Sequence, residues 1–244
     1  MFIRINAAVA FFLGAGEKEN ADRSAAQGLL LSLLHGALLS VGGFLCIPYF
    51  LPLFTSDARI LDWGMEYAYI VLSFSMVITV QIAFEKIYQA VGNMLVPMVC
   101  MAAGCITNII LDPVFIFGLG PIPRLEVKGA AIATVIGQVV TLILYLIWYF
   151  CKDMGLSLGR RNMKLTGEIC GKLYTVGVPC SLTMGLPSLL ITVLNGFAAA
   201  FSPGYILILG VYFKLQSFIY LPANGIVQGM RPILSYNYGA GEKK

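Results

Sequence analysis

The chain has 244 residues, of which 59% are hydrophobic and 11% charged, with a formal net charge of +4. Soluble domains carry about 45–50% apolar and about 25% charged residues, and a soluble fold of this length could not hide so much apolar surface. A water-soluble globule is excluded. A nucleic-acid surface is also excluded as the origin of the charge, because the basic residues gather in short connections between apolar runs.

Backbone groups that meet hydrocarbon must be satisfied internally, which leaves helices and closed barrels. The apolar runs here are continuous instead of alternating every second residue, so the expected fold class is all-α, a polytopic helical membrane bundle. The first stretch, residues 1–13, is short and ends at Gly14. Arg4, an apolar run and then small residues fit a signal peptide. Against this, Gly14-Ala15-Gly16-Glu17-Lys18 recurs letter for letter as Gly239-Ala240-Gly241-Glu242-Lys243. Each copy follows an apolar helix, which favours a six-helix parallel repeat and makes 1–13 the end of a transmembrane helix.

Six further segments, 25–54, 63–91, 95–118, 128–151, 173–201 and 205–236, reach the ~20 apolar residues that a hydrocarbon core requires. Lys18, Arg23, Lys152, Arg160, Arg161, Lys164, Lys172, Lys243 and Lys244 fall on one side of this arrangement. Only Arg59, Arg124 and Lys128 fall on the other. The positive-inside bias therefore places loops 14–24, 152–172 and 237–244 in the cytoplasm. The 152–172 connection is the longest and most basic, with Gly155, Gly159 and the Arg160-Arg161 pair. It reads as a linker between a bundle over 1–151 and a second one beginning at 173–244.

Six cysteines (Cys46, Cys100, Cys105, Cys151, Cys170, Cys180) show no CxxC spacing and mostly lie in apolar runs, where cysteine acts as a small hydrophobe. No metal or cofactor framework is expected. His35 sits among leucines with no acidic neighbour in sequence, which suits packing or a pore-facing position better than a proton relay.

Ionisable groups inside a span cost about 2.5–3.5 kcal/mol on insertion scales, so each needs a reason. Asp112 lies six residues from the outer end of its helix, about 9 Å deep. Asn108 is one turn earlier on the same face. Pro113 withholds an N–H and frees a carbonyl near residue 109. Thr134 and Gln138 enter from the same side at matching depths on the next helix. A carboxylate, amides, a hydroxyl and a freed carbonyl form a hard-oxygen site suited to H⁺ or Na⁺. The competing reading is a helix–helix hydrogen-bond staple. Glu85 lies about 20 Å from Asp112 along the membrane normal, as either a gate or an interfacial group. Lys86 beside it is expected to snorkel to the interface. Lys214 and Gln216 are candidates for the central cavity and Gln228 for a gate or cavity. Gly225 and Gly229 form a GxxxG face for close helix approach or flexibility.

Several stretches resemble the multidrug and toxin extrusion (MATE) family, in its bacterial branch of MepA-like and DinF-like pumps. They are Leu13-Gly14-Ala15-Gly16, Gln89-Ala90-Val91-Gly92-Asn93, Asn108 to Gly118 (NIILDPVFIFG), Val127 to Thr134 (VKGAAIAT) and, most specifically, Gly225 to Ala240 (GIVQGMRPILSYNYGA). The resemblance implies a twelve-helix fold of two six-helix lobes, of which this chain would run from the end of helix 2 to the end of helix 8. It implies export of cationic, lipophilic compounds in exchange for H⁺ or Na⁺, by a protein that is monomeric at full length and needs no cofactor. Asn108 and Asp112 match the family's helix-5 pair and Thr134 its helix-6 threonine. The helix-1 aspartate is not in this sequence, and the helix-7 glutamate of other branches has no counterpart in 173–201.

Three rivals stand beside this. A lipid-linked oligosaccharide flippase of related architecture would need cavity cations, of which Lys214 is the clearest. An intramembrane protease lacks its signature: His35 is the one histidine, and there are no paired aspartates or GxGD. An inert fragment is the third.

Overall fold

A computed structural model describes residues 2–53, 57–118, 123–152, 154–163, 167–201 and 203–242. Lys164, Lys243 and Lys244, counted above on the basic side, lie outside the described residues. Eight helices follow in chain order: α1 Phe2–Gly14, α2 Lys18–Phe50, α3 Ala58–Ser73, α4 Ser75–Ala90, α5 Leu95–Phe117, α6 Glu126–Cys151, α7 Gly167–Phe201 and α8 Pro203–Gly239. The expected helical class is what forms. Among the described residues, α2, α5 and α6 are each long and apolar enough to cross a bilayer, and α3 with α4 makes a fourth if counted as one bent span.

That bend corrects the sequence reading, which expected one continuous helix over 63–91. The chain turns by 52° between α3 and α4. Its cause lies in α2: the Ser40 hydroxyl donates to the Leu72 carbonyl at 2.7 Å. A side chain inserted into the i→i−4 ladder is an ordinary source of a kink. Gly36 of α2 holds the two segments close, since a Cβ there would lie 2.7 Å from the Met76 Cα.

The packing is inverted relative to a water-soluble helix. α2 buries Ala21, Ser24, Ala25, Ala26, Gln27, Gly28, Ser32 and Gly36, while Leu38, Leu45 and Tyr49 face outward. Lipid tails are as apolar as leucine, so small and polar residues are what bring such helices together. Ile5 of α1 seats on Gly28, where a Cβ would meet its Cγ1 at 2.7 Å. Phe84 and Tyr88 of α4 stack on Tyr145 of α6 at 6.4 and 5.7 Å. The 152–172 connection is more than a spacer. Leu156 and Leu158 are buried in this core, and Asp22 of α2 accepts from the Ser157 backbone N–H at 2.9 Å.

The two copies of the repeated pentapeptide have the same local structure. Gly16 and Gly241 both take a left-handed φ, 74° and 84°. At the first copy Glu17 N–H donates to Phe12 O and Gly16 N–H to Leu13 O. At the second, Glu242 donates to Asn237 and Gly241 to Tyr238. Each pair is the 6→1 and 5→2 closure of a Schellman cap, which glycine enters without a Cβ penalty. The copies also touch. A Cβ on Gly14 would strike the Tyr236 carbonyl, and one on Gly239 would strike the Phe11 carbonyl. The shift that carries Gly14 onto Gly239 carries Phe11 onto Tyr236, so the contact is reciprocal, as two repeat-related helices meeting about a local two-fold require. Of the two readings of the GxxxG face, close helix approach is not met among the described residues: Cβ atoms at Gly225 or Gly229 would meet nothing within 4 Å. The close approach on α8 is at Gly239.

Candidate functional site

α5 and α6 are pressed together through glycine. A Cβ on Gly104 would lie 2.8 Å from the Gly137 carbonyl, and one on Gly137 would lie 2.8 Å from the Gly104 carbonyl and 3.2 Å from the Asn108 Cβ. This contact fixes which polar side chains share a level. Asn108 Nδ2 donates to Asp112 Oδ1 at 3.3 Å across one helical turn, and both residues are half-buried.

Beside them lies a cavity of about 110 Å³ between α4, α5 and α6, lined by Gln81, Asn108, Thr134, Gln138 and Thr141 among others. Asn108, Thr134 and Gln138 therefore share one space. Asp112 is outside that lining and is joined to it through the Asn108 amide. Thr134 Oγ1 donates to Ala130 O at 2.9 Å, so it offers the space only its lone pairs. Gln81 and Thr141 are polar lining residues that sequence reasoning missed; Gln81 lies one turn before Glu85 on α4, and only the packing of α5 and α6 against α4 brings it into this space.

Glu85 is buried at a second cluster, on the part of α4 near Gln89. Lys86 Nζ donates to Glu85 at 2.7 Å, to Gln89 at 3.2 Å and to Gln228 of α8 at 2.7 Å. Gln89 Nε2 donates to Glu85 at 2.9 Å, and Asn6 Nδ2 of α1 donates to Gln89 at 3.4 Å. Three acceptors within reach hold Lys86 at the seam between α4 and α8. Gln228 belongs to this cluster and Glu85 is its anion.

Gln216 lines a larger groove of about 1030 Å³ between α7 and α8, together with Leu186, Leu190, Phe213, Tyr220 and Asn224. Its walls are apolar and aromatic with a few amides, a composition suited to lipophilic organic molecules. Lys214 is exposed on α8 and is not among the residues lining this groove. Among the described residues no group of three or more His, Cys, Asp or Glu is placed to hold a metal ion.

Comparison with known proteins gives consistent matches. The MatE family model matches residues 5–114. The multidrug export protein MepA of Staphylococcus haemolyticus is 25% identical over 226 residues, covering 93% of this chain and 49% of that protein. The protein of the same name in Staphylococcus aureus (strain NCTC 8325) is 32% identical over 161 residues, or 65% of this chain and 34% of that protein. Among solved structures, a MOP superfamily transporter from Pyrococcus furiosus superposes with a TM-score of 0.91 at 26% identity, over 99% of this chain and 53% of that one. The chain thus spans about half the length of the relatives it matches.

Proposed function

We propose, from the match of residues 5–114 to the MatE family model and the likeness to MATE transporter structures, that the chain is part of a MATE-family secondary active multidrug antiporter, exporting cationic, lipophilic compounds in exchange for H⁺ or Na⁺. Residues 1–151 form the N-lobe, 152–172 the inter-lobe connection and 173–244 the start of the C-lobe. Asp112 takes up the coupling ion, with Asn108, Thr134 and Gln138 as its polar company. Substrate occupies the cleft between lobes, to which the α7/α8 groove contributes. Loops 14–24, 152–172 and 237–244 face the cytoplasm of a bacterial cell.

The observation that carries this reading is the Asn108–Asp112 hydrogen bond within otherwise apolar helices, with Asn108 also lining a small cavity beside Thr134 and Gln138. A carboxylate held there gains or loses a cation at a cost its neighbours set, and the change biases how α4, α5 and α6 pack. Ion binding can shift a lobe equilibrium only by its differential affinity for the two states, and helices packed through glycine contacts provide two discrete arrangements instead of a continuum.

The test is ethidium transport in proteoliposomes containing the protein, with either a proton or a Na⁺ gradient imposed. Antiport requires that one gradient drive ethidium uphill and that collapsing it stop the flux. Ethidium movement indifferent to both gradients would overturn the reading.

A further inference from the structure

The ion pair at the seam between α4 and α8 has one member that can leave and one that cannot. Glu85 is 8% exposed, and among the described residues its ion pair is with Lys86 at 2.7 Å. The Lys86 ammonium has three N–H donors and directs them to three oxygens, those of Glu85, Gln89 and Gln228, at 2.7, 3.2 and 2.7 Å. Its long aliphatic stem lets the charged head swing out to solvent, and Gln228 is exposed. Glu85 is shorter, accepts a second hydrogen bond from Gln89 Nε2 at 2.9 Å, and cannot follow. A buried carboxylate stripped of its partner is strongly destabilising. Lys86 can therefore let go of α8 without that penalty only when another cation takes its place on Glu85. The cluster is also short of donors. Asn6 of α1, 3% exposed, gives its Nδ2 to Gln89 at 3.4 Å, while its Oδ1 is buried with no partner. Native structures supply such an atom with a donor. Oxygens of this kind favour a cation that carries N–H groups over a quaternary ammonium, which has none.

We infer that Glu85 receives protonated primary or secondary amines, which displace Lys86 and thereby release Gln228 of α8. The amine brings its own positive charge and N–H donors, so the cluster stays paired while the α4–α8 link is lost. Such a ligand shifts the seam because it binds only the arrangement that Lys86 has vacated. The inference rests on the efflux reading for the source of such amines and on this cluster alone for its chemistry.

The experiment places spin labels at Ala15 and Ala240, both exposed, in the purified chain in lipid nanodiscs at neutral pH, and titrates three probes that share one aromatic body. Benzylamine is protonated and carries N–H groups, benzyltrimethylammonium is charged without them, and benzyl alcohol is neutral. Benzylamine should move the distance distribution saturably to longer values. Benzyltrimethylammonium should need about tenfold more for the same shift, the loss expected when hydrogen bonds to a charged group are missing. Benzyl alcohol should leave the distribution in place. Glu85→Gln should weaken the benzylamine response about tenfold or more. Thermal unfolding gives a second reading that does not depend on the seam distance. Lys86→Met leaves the carboxylate without its cation, and benzylamine should raise the Tm of that variant saturably where benzyl alcohol does not.

A wild-type distribution unmoved by benzylamine, or moved equally by benzyl alcohol, would overturn the inference, as would a Lys86→Met Tm indifferent to benzylamine. If Lys86→Met fails to fold, the wild-type titrations still decide the matter. Antiport itself fails on a different observation, ethidium flux indifferent to ion gradients, and these titrations use no gradient, so the two are separable.

Discussion

Lys86 of α4 donates to Gln228 of α8 at 2.7 Å, joining two residues 142 positions apart. The same ammonium is neutralised by Glu85 at 2.7 Å, so a charged pair is held at the seam by a neutral amide from the opposing helix. Glu85 and Lys86 alone would form a local pair. The amide turns that pair into a link between the α1–α6 bundle and α8. A hydrogen bond to a charged group contributes about 1.5–3 kcal/mol when buried, and this one, at an exposed edge, contributes less.

Gln228→Leu removes the acceptor while keeping the side-chain volume. The link then fails and the seam opens more often. Spin labels at Ala15 and Ala240, both exposed, report the separation of the two pentapeptide copies. A distance distribution that broadens towards longer values in the variant is the expected result. An unchanged distribution would show that the bond holds nothing.

The glycine contacts at that seam leave no space for a methyl group. Gly14→Val and Gly239→Val each force a side chain into a backbone carbonyl, an overpacking that costs about 1–3 kcal/mol. Both variants should lower the Tm of the purified protein. Gly225→Ala and Gly229→Ala are the controls, because a Cβ there meets nothing within 4 Å and alanine favours the helix by up to about 1 kcal/mol. Equal losses at all four positions would remove the seam as the explanation.

Ser40→Ala withdraws the hydroxyl from the Leu72 carbonyl and should cost about 1 kcal/mol, the net value of one such hydrogen bond. The effect belongs at the bend, so amide hydrogen exchange should accelerate around residues 72–78 and leave α6 unchanged. Protection identical to wild type at 72–78 would mean the bend has another cause.

What the sequence made legible follows from the range over which each interaction acts. The helices come from continuous apolar runs, and the Asn108–Asp112 bond comes from i,i+4 spacing. Both are local. The bend at Phe74 depends on Ser40 in a different helix, and the Lys86–Gln228 bond on a partner four α-helices further along the chain. Neither has a local signature. Gln81 has Glu85 one turn from it, but that spacing speaks only for a pair along α4, and its membership in the cavity emerges when α5 and α6 close around it. Leu156 and Leu158 read as linker because they lie between Gly155 and Gly159 in the longest and most basic connection, yet they belong to the buried core. The repeated pentapeptide announced equivalence, but that the copies touch required three dimensions.

In the proposed antiport, the carboxylate at residue 112, held by Asn108 beside the α4/α5/α6 cavity, takes up the driving ion. The most direct measurement of this is ethidium export by Asp112→Asn, with membrane insertion followed in the same cells. The amide preserves shape and the hydrogen bond to Asn108 but cannot exchange a proton or neutralise a cation. Export should fall to background while the amount inserted stays at the wild-type level. Wild-type export by that variant would contradict the assignment.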